Sequence, residues 1–363
     1  MPSSAGLVGI GNRMPVPYRA LAVCGPTASG KSALGVQLAR SLSGEILNVD
    51  SVQVYRHLDI GSAKLTESER GGISHHLLDI FEPDRPANVA QFREQALASL
   101  RDVSARAKLP ILVGGSGMYL TVLLHGLADV PATTEDVRRS VSALSPDEQY
   151  AELSVGDPES AARLNRNDTQ RVSRAVEILR MTGRKPSDLL AEHRFAERDV
   201  IALVIVLCRP RDELYRRIDQ RSTIMVRSGL IEETRKVLDR YGDVPALNTL
   251  GYAQARDYLH GKILESDLEK EIALHTRRFA KRQMTYWRNE PLKRGWAIRP
   301  TDSEVAEEVE GFEIFPQRAQ KRMKGFRAFR YSEEQLREAV RVRLLVPMTC
   351  SEVWFVQMHE SPS

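Results

Sequence analysis

The densest group of chemically capable residues lies near the N-terminus. Gly25-Pro26-Thr27-Ala28-Ser29-Gly30-Lys31-Ser32 fills every fixed position of the phosphate-binding pattern G-x-x-x-x-G-K-[ST]. Its glycines let the backbone fold round an anion, with several N–H groups pointing inward at the positive end of the helix that follows. Lys31 adds a full charge, and Ser32 offers a hydroxyl to Mg²⁺. A pyrophosphate-bearing ligand is therefore expected, although the pattern fixes the anion and not the reaction. Two further groups belong to the same crevice. Asp50 closes the apolar stretch Glu45-Ile-Leu-Asn-Val-Asp50, and a carboxylate at the C-terminal end of a strand faces the place where α/β sheets bind ligands. There it can hold a metal or accept a proton from a second substrate. A third apolar stretch ends in Val113-Gly-Gly-Ser116-Gly-Met-Tyr119, whose paired glycines permit close backbone approach while Ser116 presents a hydroxyl.

The elements that must position these residues are legible in the pattern around them. Ala20–Cys24 and Leu109–Val113 read as buried strands, as does Val200–Cys208, the longest apolar run, which is about half a membrane span. Lys31–Ser41 reads as a helix with Leu34, Leu38 and Leu42 on one face, and residues 89–108 as another, with Ala90, Leu97 and Leu100. Strands alternating with helices predict an α/β fold, a P-loop NTPase-like parallel sheet core covered on both sides. Residues 19–130 and 200–296 would form this core. Residues 131–199 lose the strand signal, keep helical periodicity and read as an inserted helical domain, a natural lid. Residues 1–18, rich in Gly, Pro and Ser, read as a disordered lead-in. Residues 297–363 read as a C-terminal extension, acidic over Thr301–Glu313 and basic over Arg318–Arg330. A short helix follows, opened by a capping box at Ser332–Gln335 and carrying Leu336, Ala339, Val340 and Leu344 on one face.

Composition narrows the class. Hydrophobic residues make up 42% of 363, which excludes a wholly disordered chain. The net charge of +4 does not by itself imply a polyanion partner, so such a surface must show as local clustering. Two clusters do. Asn165–Lys185 holds six basic residues against two acidic ones, and Arg277–Arg294 holds seven against Glu290 alone, with Tyr286 and Trp287 interleaved as in a surface that grips phosphates and stacks bases. The three cysteines, Cys24, Cys208 and Cys350, are too dispersed for a disulfide scaffold or zinc finger and suit a reducing compartment. His75-His76 has no third ligand at suitable spacing and reads as packing. With no secretory pattern and no membrane span, a cytoplasmic protein without a membrane partner is expected.

In order along the chain, Gly-Pro-Thr-Ala-Ser-Gly-Lys-Ser32, Asn48-Val-Asp-Ser-Val-Gln-Val-Tyr55, Asp59-Ile-Gly-Ser-Ala-Lys64 and Val113-Gly-Gly-Ser-Gly-Met-Tyr119 resemble the bacterial-type tRNA dimethylallyltransferases, also called tRNA isopentenyltransferases. His75–Asp79, Asn167–Arg174, Tyr215–Arg221, Gly229–Glu233, Leu250-Gly-Tyr252 and Lys281–Arg288 agree, so the resemblance covers roughly residues 20–296. It implies transfer of a dimethylallyl group from dimethylallyl diphosphate to N6 of the adenosine on the 3′ side of the anticodon, in tRNAs reading codons that begin with U. Gly25–Ser32 would then hold the departing diphosphate. Asp50 would take the N6 proton, a contribution on the order of 10²–10⁴ in rate. Lys31, Mg²⁺ on Ser32, Ser116 and Arg221 would stabilise the leaving group, with Arg217 the other candidate arginine. Ser116 stands where threonine is usual.

The resemblance also implies the RNA-facing residues: Asp50, Ser51, Val52 and Gln53, with Gly251 and Tyr252, near the extruded base, and Ser116, Arg138, Gln170, Arg171, Val172, Ser173, Arg174, Lys281, Arg282, Gln283 and Arg288 as further contacts to the tRNA anticodon stem-loop. The chain is expected to act as a monomer. Two other enzyme classes share the phosphate loop. An isopentenyltransferase for free AMP or ADP needs neither an insertion nor basic flanks, and a P-loop kinase of small molecules would use Asp50 to activate a hydroxyl. A tRNA-binding module with a vestigial loop is disfavoured by the intact set Lys31, Ser32, Asp50 and Arg221.

Overall fold

The computed structural model describes residues 17–128, 130–193, 199–293, 297–298, 307–308, 328–345, 348 and 352–358. The strands among them are β1 (Tyr18–Cys24), β2 (Gly44–Asn48), β3 (His75–His76), β4 (Leu109–Gly114), β5 (Val200–Leu207), β6 (Ala297–Ile298), β7 (Glu307–Glu308), β8 (Ala328–Tyr331) and β9 (Glu352–Met358). They form one sheet in the order β3-β2-β4-β1-β5-β9-β8-β7, with β6 also paired to β9. Every pairing is parallel except β7 with β8. The centre of the sheet is apolar on both faces because both are covered, as a parallel sheet requires. Along β1, Ala20, Ala22 and Cys24 join the core that includes Phe92, Ala96, Leu100 and Val103 of the helix Val89–Ala105. Leu21 and Val23 point the other way, into a core shared with Leu34 and Leu38 of the helix Lys31–Ser41.

Parallel strands place all their C-terminal ends on one edge, and this positions the site. β1 runs into Gly25–Ser32, β2 into Asp50 and β4 into Ser116. The expected second strand, 45–50, stops at Asn48 for a local reason. The Asn48 amide donates to the carbonyls of Leu77 (3.1 Å) and Asp50 (3.3 Å), and its oxygen accepts the Asp50 N–H at 3.2 Å. These bonds turn the chain, so Asp50 leaves the ladder and faces the crevice.

The chain divides into two units, residues 1–124 with 199–363, and residues 125–198. The second is helical throughout its described elements: Glu135–Ser142, Pro146–Gly156, Pro158–Arg163, Thr169–Thr182 and Pro186–His193. Its own small core consists of Val141, Leu153, Ala161, Val172, Ala175 and Val176. Its helix starts are strongly marked. Ser145 and Glu148 form a reciprocal capping box before Pro146, and Asp157 caps Ser160 while also accepting from Ser187.

The tail departs from expectation. Read as an extension outside the core, its described parts belong to the core sheet: β9 lies against β5, pairing Leu203 with Glu352 through Leu207 with Val356. The helix Glu333–Leu345 packs Leu336 and Val340 beside Trp354 and Val356 on the face that carries Leu203 and Ile205. The acidic and basic runs before it obscured a seven-residue strand whose Val353, Trp354 and Val356 are all buried. Most of Arg318–Arg330, all of residues 1–16, and Cys350 lie outside the described residues.

Burying each such side chain contributes about 1.5–3 kcal/mol, and β9 also covers an edge that would otherwise template self-association. Deleting residues 346–363 is therefore expected to lower the melting temperature and produce concentration-dependent oligomers in size-exclusion chromatography. An unchanged melt and a single species would show that β9 does not brace the sheet.

Candidate active site

The phosphate loop is built by unusual backbone. Gly25 has φ +139°, where a Cβ would lie 2.8 Å from the Leu207 carbonyl, and Gly30 has φ +97° at the start of the helix Lys31–Ser41. Two arginines hold the outside of the loop: Arg209 Nε donates to the Ser29 carbonyl at 2.6 Å and Arg217 Nε to the Ala28 carbonyl at 2.9 Å. Gly30 offers no side-chain cap, so the first amides of the helix are left for an anion. The Ser29 hydroxyl is buried beside Gly25 with no hydrogen-bond partner among the described residues.

Lys31, Ser32, Asp50, Gln53, Ser116 and Arg221 line a single cavity, whose apolar wall includes Ile218, Met225, Ile272 and Phe279. The wall follows from helical spacing. Residues 218, 221, 222 and 225 share one face of the helix Arg211–Arg227, while 272, 276, 279 and 283 share one face of the long helix Glu265–Lys293. Burial pushes the Lys31 amine down to about 8; nearby Asp50 resists this shift and Arg221 adds to it. Burial likewise lowers the Arg221 guanidinium, opposed by Asp50 and reinforced by Arg217. Arg221 makes no hydrogen bond or ion pair among the described residues. Of the two candidate arginines, Arg221 lines the cavity and Arg217 braces the loop from outside.

Asp50 is held by one oxygen. Its Oδ1 accepts from Val52 N (2.9 Å) and Gln53 N (3.4 Å), and Oδ2 accepts nothing among the described residues. Ser116, expected to donate to a leaving group, is turned toward the Asp50 loop: its Oγ accepts from Ser51 N at 2.9 Å and donates to Ser51 Oγ at 3.0 Å. Gln53 reaches the carbonyls of Ser62 and Ala63 (3.1 and 3.3 Å) and fixes that wall.

The residues expected to face RNA separate into two sets. Arg138, Gln170, Arg171, Lys281 and Arg282 are exposed, and Ser173, Arg174 and Arg288 are partly buried. Val172, Tyr252, Gln283 and Trp287 are buried, and of these Gln283 lines the cavity. Val172 belongs to the core of the helical unit. Tyr252 donates to Glu233 Oε1 at 2.6 Å and accepts from Gly61 N at 3.0 Å. The Gln283 side chain bridges Thr27 N (2.8 Å) and the Gly115 carbonyl (3.1 Å). Trp287 lies in the main core, edge-on to Tyr286, whose hydroxyl is bonded to Thr121 and Gly117. The interleaved aromatics therefore hold the long helix to the sheet instead of offering a stacking surface. A 29-residue helix must seat one face on the core, and 283 and 287 fall on it.

The sequence pattern singles out neither Arg209 nor the supporting roles of Glu233 and Gln283. Arg209 was foreshadowed only as the first basic residue after the β5 run. Glu233 gathers the N–H groups of Asp59, Ile60 and Gly61 at 3.0–3.3 Å and so fixes the loop behind Gln53. Gln283 showed no signal apart from its motif. His76 pairs with Glu45 at 2.8 Å and His75 with the Ile73 carbonyl at 2.8 Å, the packing role expected of them. Among the described residues no group of three or more His, Cys, Asp or Glu could hold a metal, and no helix is long and apolar enough to cross a membrane.

Comparison with known proteins matches residues 53–290 to the IPP transferase family. The chain belongs to that family. Its relatives include the tRNA dimethylallyltransferase of Anaeromyxobacter dehalogenans, 42% identical over 294 residues that span 79% of this chain and 97% of that protein. The tRNA dimethylallyltransferase 1 of Citrifermentans bemidjiense is 42% identical over 73% of this chain and 88% of its own length. Among solved structures, the full-length tRNA isopentenylpyrophosphate transferase of Bacillus halodurans is 36% identical with a TM-score of 0.55, covering 75% of this chain and 87% of that one. A eukaryotic dimethylallyltransferase acting on tRNA is 28% identical with a TM-score of 0.66, covering 74% and 69%. The P-loop NTPase-like α/β fold of this IPP transferase is the one expected from its motifs.

The lysine generates a pH prediction. A bound polyanion favours charged Lys31, so above pH 8 binding must first supply a proton and affinity falls as pH rises. Titration calorimetry with inorganic diphosphate from pH 6.5 to 9.5 should show a declining limb above about pH 8 that Lys31→Arg abolishes. The same decline in the arginine variant would assign it to another group.

Proposed function

We propose that this protein transfers the dimethylallyl group of dimethylallyl diphosphate to N6 of the adenosine 3′ to the anticodon, in tRNAs reading codons that begin with U. The observation that carries the reading is the half-engaged Asp50 carboxylate sharing one cavity with Lys31 and Arg221, in a chain of the IPP transferase family. An exocyclic adenine amine is a poor nucleophile because its lone pair is delocalised into the ring. As the bond from N6 to the allylic carbon forms and the carbon–oxygen bond breaks, the N6 proton passes to Asp50 Oδ2 and the electron pair leaves with the diphosphate. Lys31, Arg221 and the amides at the start of the helix Lys31–Ser41 receive that growing charge. The apolar wall, with Ile218, Met225, Ile272 and Phe279, suits the five-carbon chain and excludes water from a reactive allylic centre.

Mg²⁺ fits the donor set: the Ser32 hydroxyl lines the cavity and would hold the ion there. When bound there, Mg²⁺ would neutralise charge on the diphosphate oxygens. For the tRNA acceptor, each unit offers exposed groups of its own: Arg138, Gln170 and Arg171 on the helical unit, Lys281 and Arg282 on the long helix. A cytoplasmic monomer suits this reading.

Asp50→Ala is expected to lower kcat by about 10²–10⁴ while tRNA affinity stays within a few-fold. The readout is digestion and mass spectrometry of tRNA after incubation with dimethylallyl diphosphate and Mg²⁺, with AMP as a parallel acceptor. Prenylation of AMP alone would falsify the tRNA assignment. Replacing Arg278 and Lys281 with Glu should weaken tRNA binding and flatten its dependence on salt. An unaltered salt slope would remove that helix from the contact surface.

A further inference from the structure

We propose that Gln283 is a positioning residue that ties the diphosphate loop to the loop carrying the base. This rests on the reading of the cavity as a diphosphate site. The side chain is 6% exposed and spends both ends of its amide on different ligand loops: Oε1 accepts from Thr27 N at 2.8 Å, and Nε2 donates to the Gly115 carbonyl at 3.1 Å. Glycine at 115 is required for this approach, because a side chain there would collide with the Gln283 amide. One turn along the same face, the Tyr286 hydroxyl donates to the Gly117 carbonyl at 2.8 Å, and its ring fills the space a side chain at 117 would need. The long helix thus grips the residues on both sides of Ser116.

Ser116 passes the constraint on, since its Oγ holds Ser51 N at 2.9 Å, next to Asp50. A continuous series of bonds runs from Thr27 through Gln283, Gly115 and Ser116 to the base. Its effect is to fix the separation between the leaving-group site and the carboxylate, a distance on which an in-line transfer depends steeply. Gln283 lines the cavity, but both polar atoms of its amide are bonded to the two loops, and it acts through them. The position needs one acceptor and one donor side by side in one plane, which an amide supplies and neither an ionised Glu nor Met does.

Gln283→Met keeps the volume and removes both bonds. Binding of inorganic diphosphate with Mg²⁺, binding of an anticodon stem-loop, and steady-state kinetics are compared with the wild type. The expected result is a tenfold or greater loss of diphosphate affinity and a matching rise in the KM for dimethylallyl diphosphate, with stem-loop affinity and the KM for tRNA within threefold. Loss of stem-loop affinity with diphosphate binding intact would make Gln283 an RNA contact and overturn the proposal, as would parallel loss of both or no change in either. Should Gln283→Met not fold, Tyr286→Phe tests the same grip on the Ser116 turn, keeping the ring and removing the hydroxyl's bonds to Gly117 and Thr121; it should raise the KM for dimethylallyl diphosphate alone, and equal or absent changes in the two KM values overturn the proposal. A wild type that binds no diphosphate refutes the functional reading itself, whereas a wild type that binds it no better than Gln283→Met refutes only the tie.

Discussion

The site is governed by an imbalance of charge held partly out of water. Lys31 and Arg221 share a cavity with a single carboxylate, and burial disfavours the charged form of both cations. Such an arrangement costs stability in the free protein, and a multivalent anion relieves it. The loop amides act in the same direction without a desolvated charge of their own, because they are dipoles fixed by the start of a helix. Asp50 is what keeps the cavity from being merely an anion trap. Its attraction to both cations is visible in how it resists their shifts, yet only one of its oxygens is engaged. The carboxylate is therefore anchored through one oxygen and leaves the other free of partners among the described residues.

Much of this was legible in the sequence because it is local. Each of the loop's fixed residues serves a backbone conformation or a charge within a few residues of itself, and Asp50 and Ser116 follow apolar runs that can only be strands. What escaped was decided by which face of a helix turns inward. The run Lys281–Arg288 is basic with aromatic residues between, and spacing alone does not say whether 283 and 287 or 281 and 282 meet the sheet. Packing settles it: Gln283 and Trp287 go inward, Lys281 and Arg282 outward. The tail failed for a different reason. Its strand is seven residues long and its partner, β5, lies more than a hundred residues earlier, so nothing near it in the chain announces the pairing.

β5 links that distant pairing to the site. Its last pairing reaches Leu207 with Val356, and Cys208 N donates to the Val356 carbonyl at 2.8 Å. Arg209, the next residue, holds the Ser29 carbonyl and is itself paired with Glu213 on the following helix. The phosphate loop is therefore braced from a strand whose both edges are occupied, β1 on one side and β9 on the other. Rigid support of this kind matters more for a loop that must hold amides in a fixed fan than for one that offers only side chains.

The basic surface obeys a different economy from the cavity. Arg138 and Arg171 each have an acidic partner three residues away, Glu135 and the helix-capping Asp168, and at first sight this spends them. Exposed pairs at that spacing are weak, since solvent screens them and both side chains lose freedom in making them. An RNA phosphate offers the same guanidinium a bidentate partner in a field of like charges, with release of condensed counterions as an added drive. On the proposed reading, a weak local partner would be exchanged for a phosphate at little cost. On the same reading, strong, sheltered interactions would serve the small anionic substrate, and weak, exchangeable ones the large acceptor. That division is what a two-substrate transferase needs if the acceptor is to leave after reaction while the cradle keeps its shape.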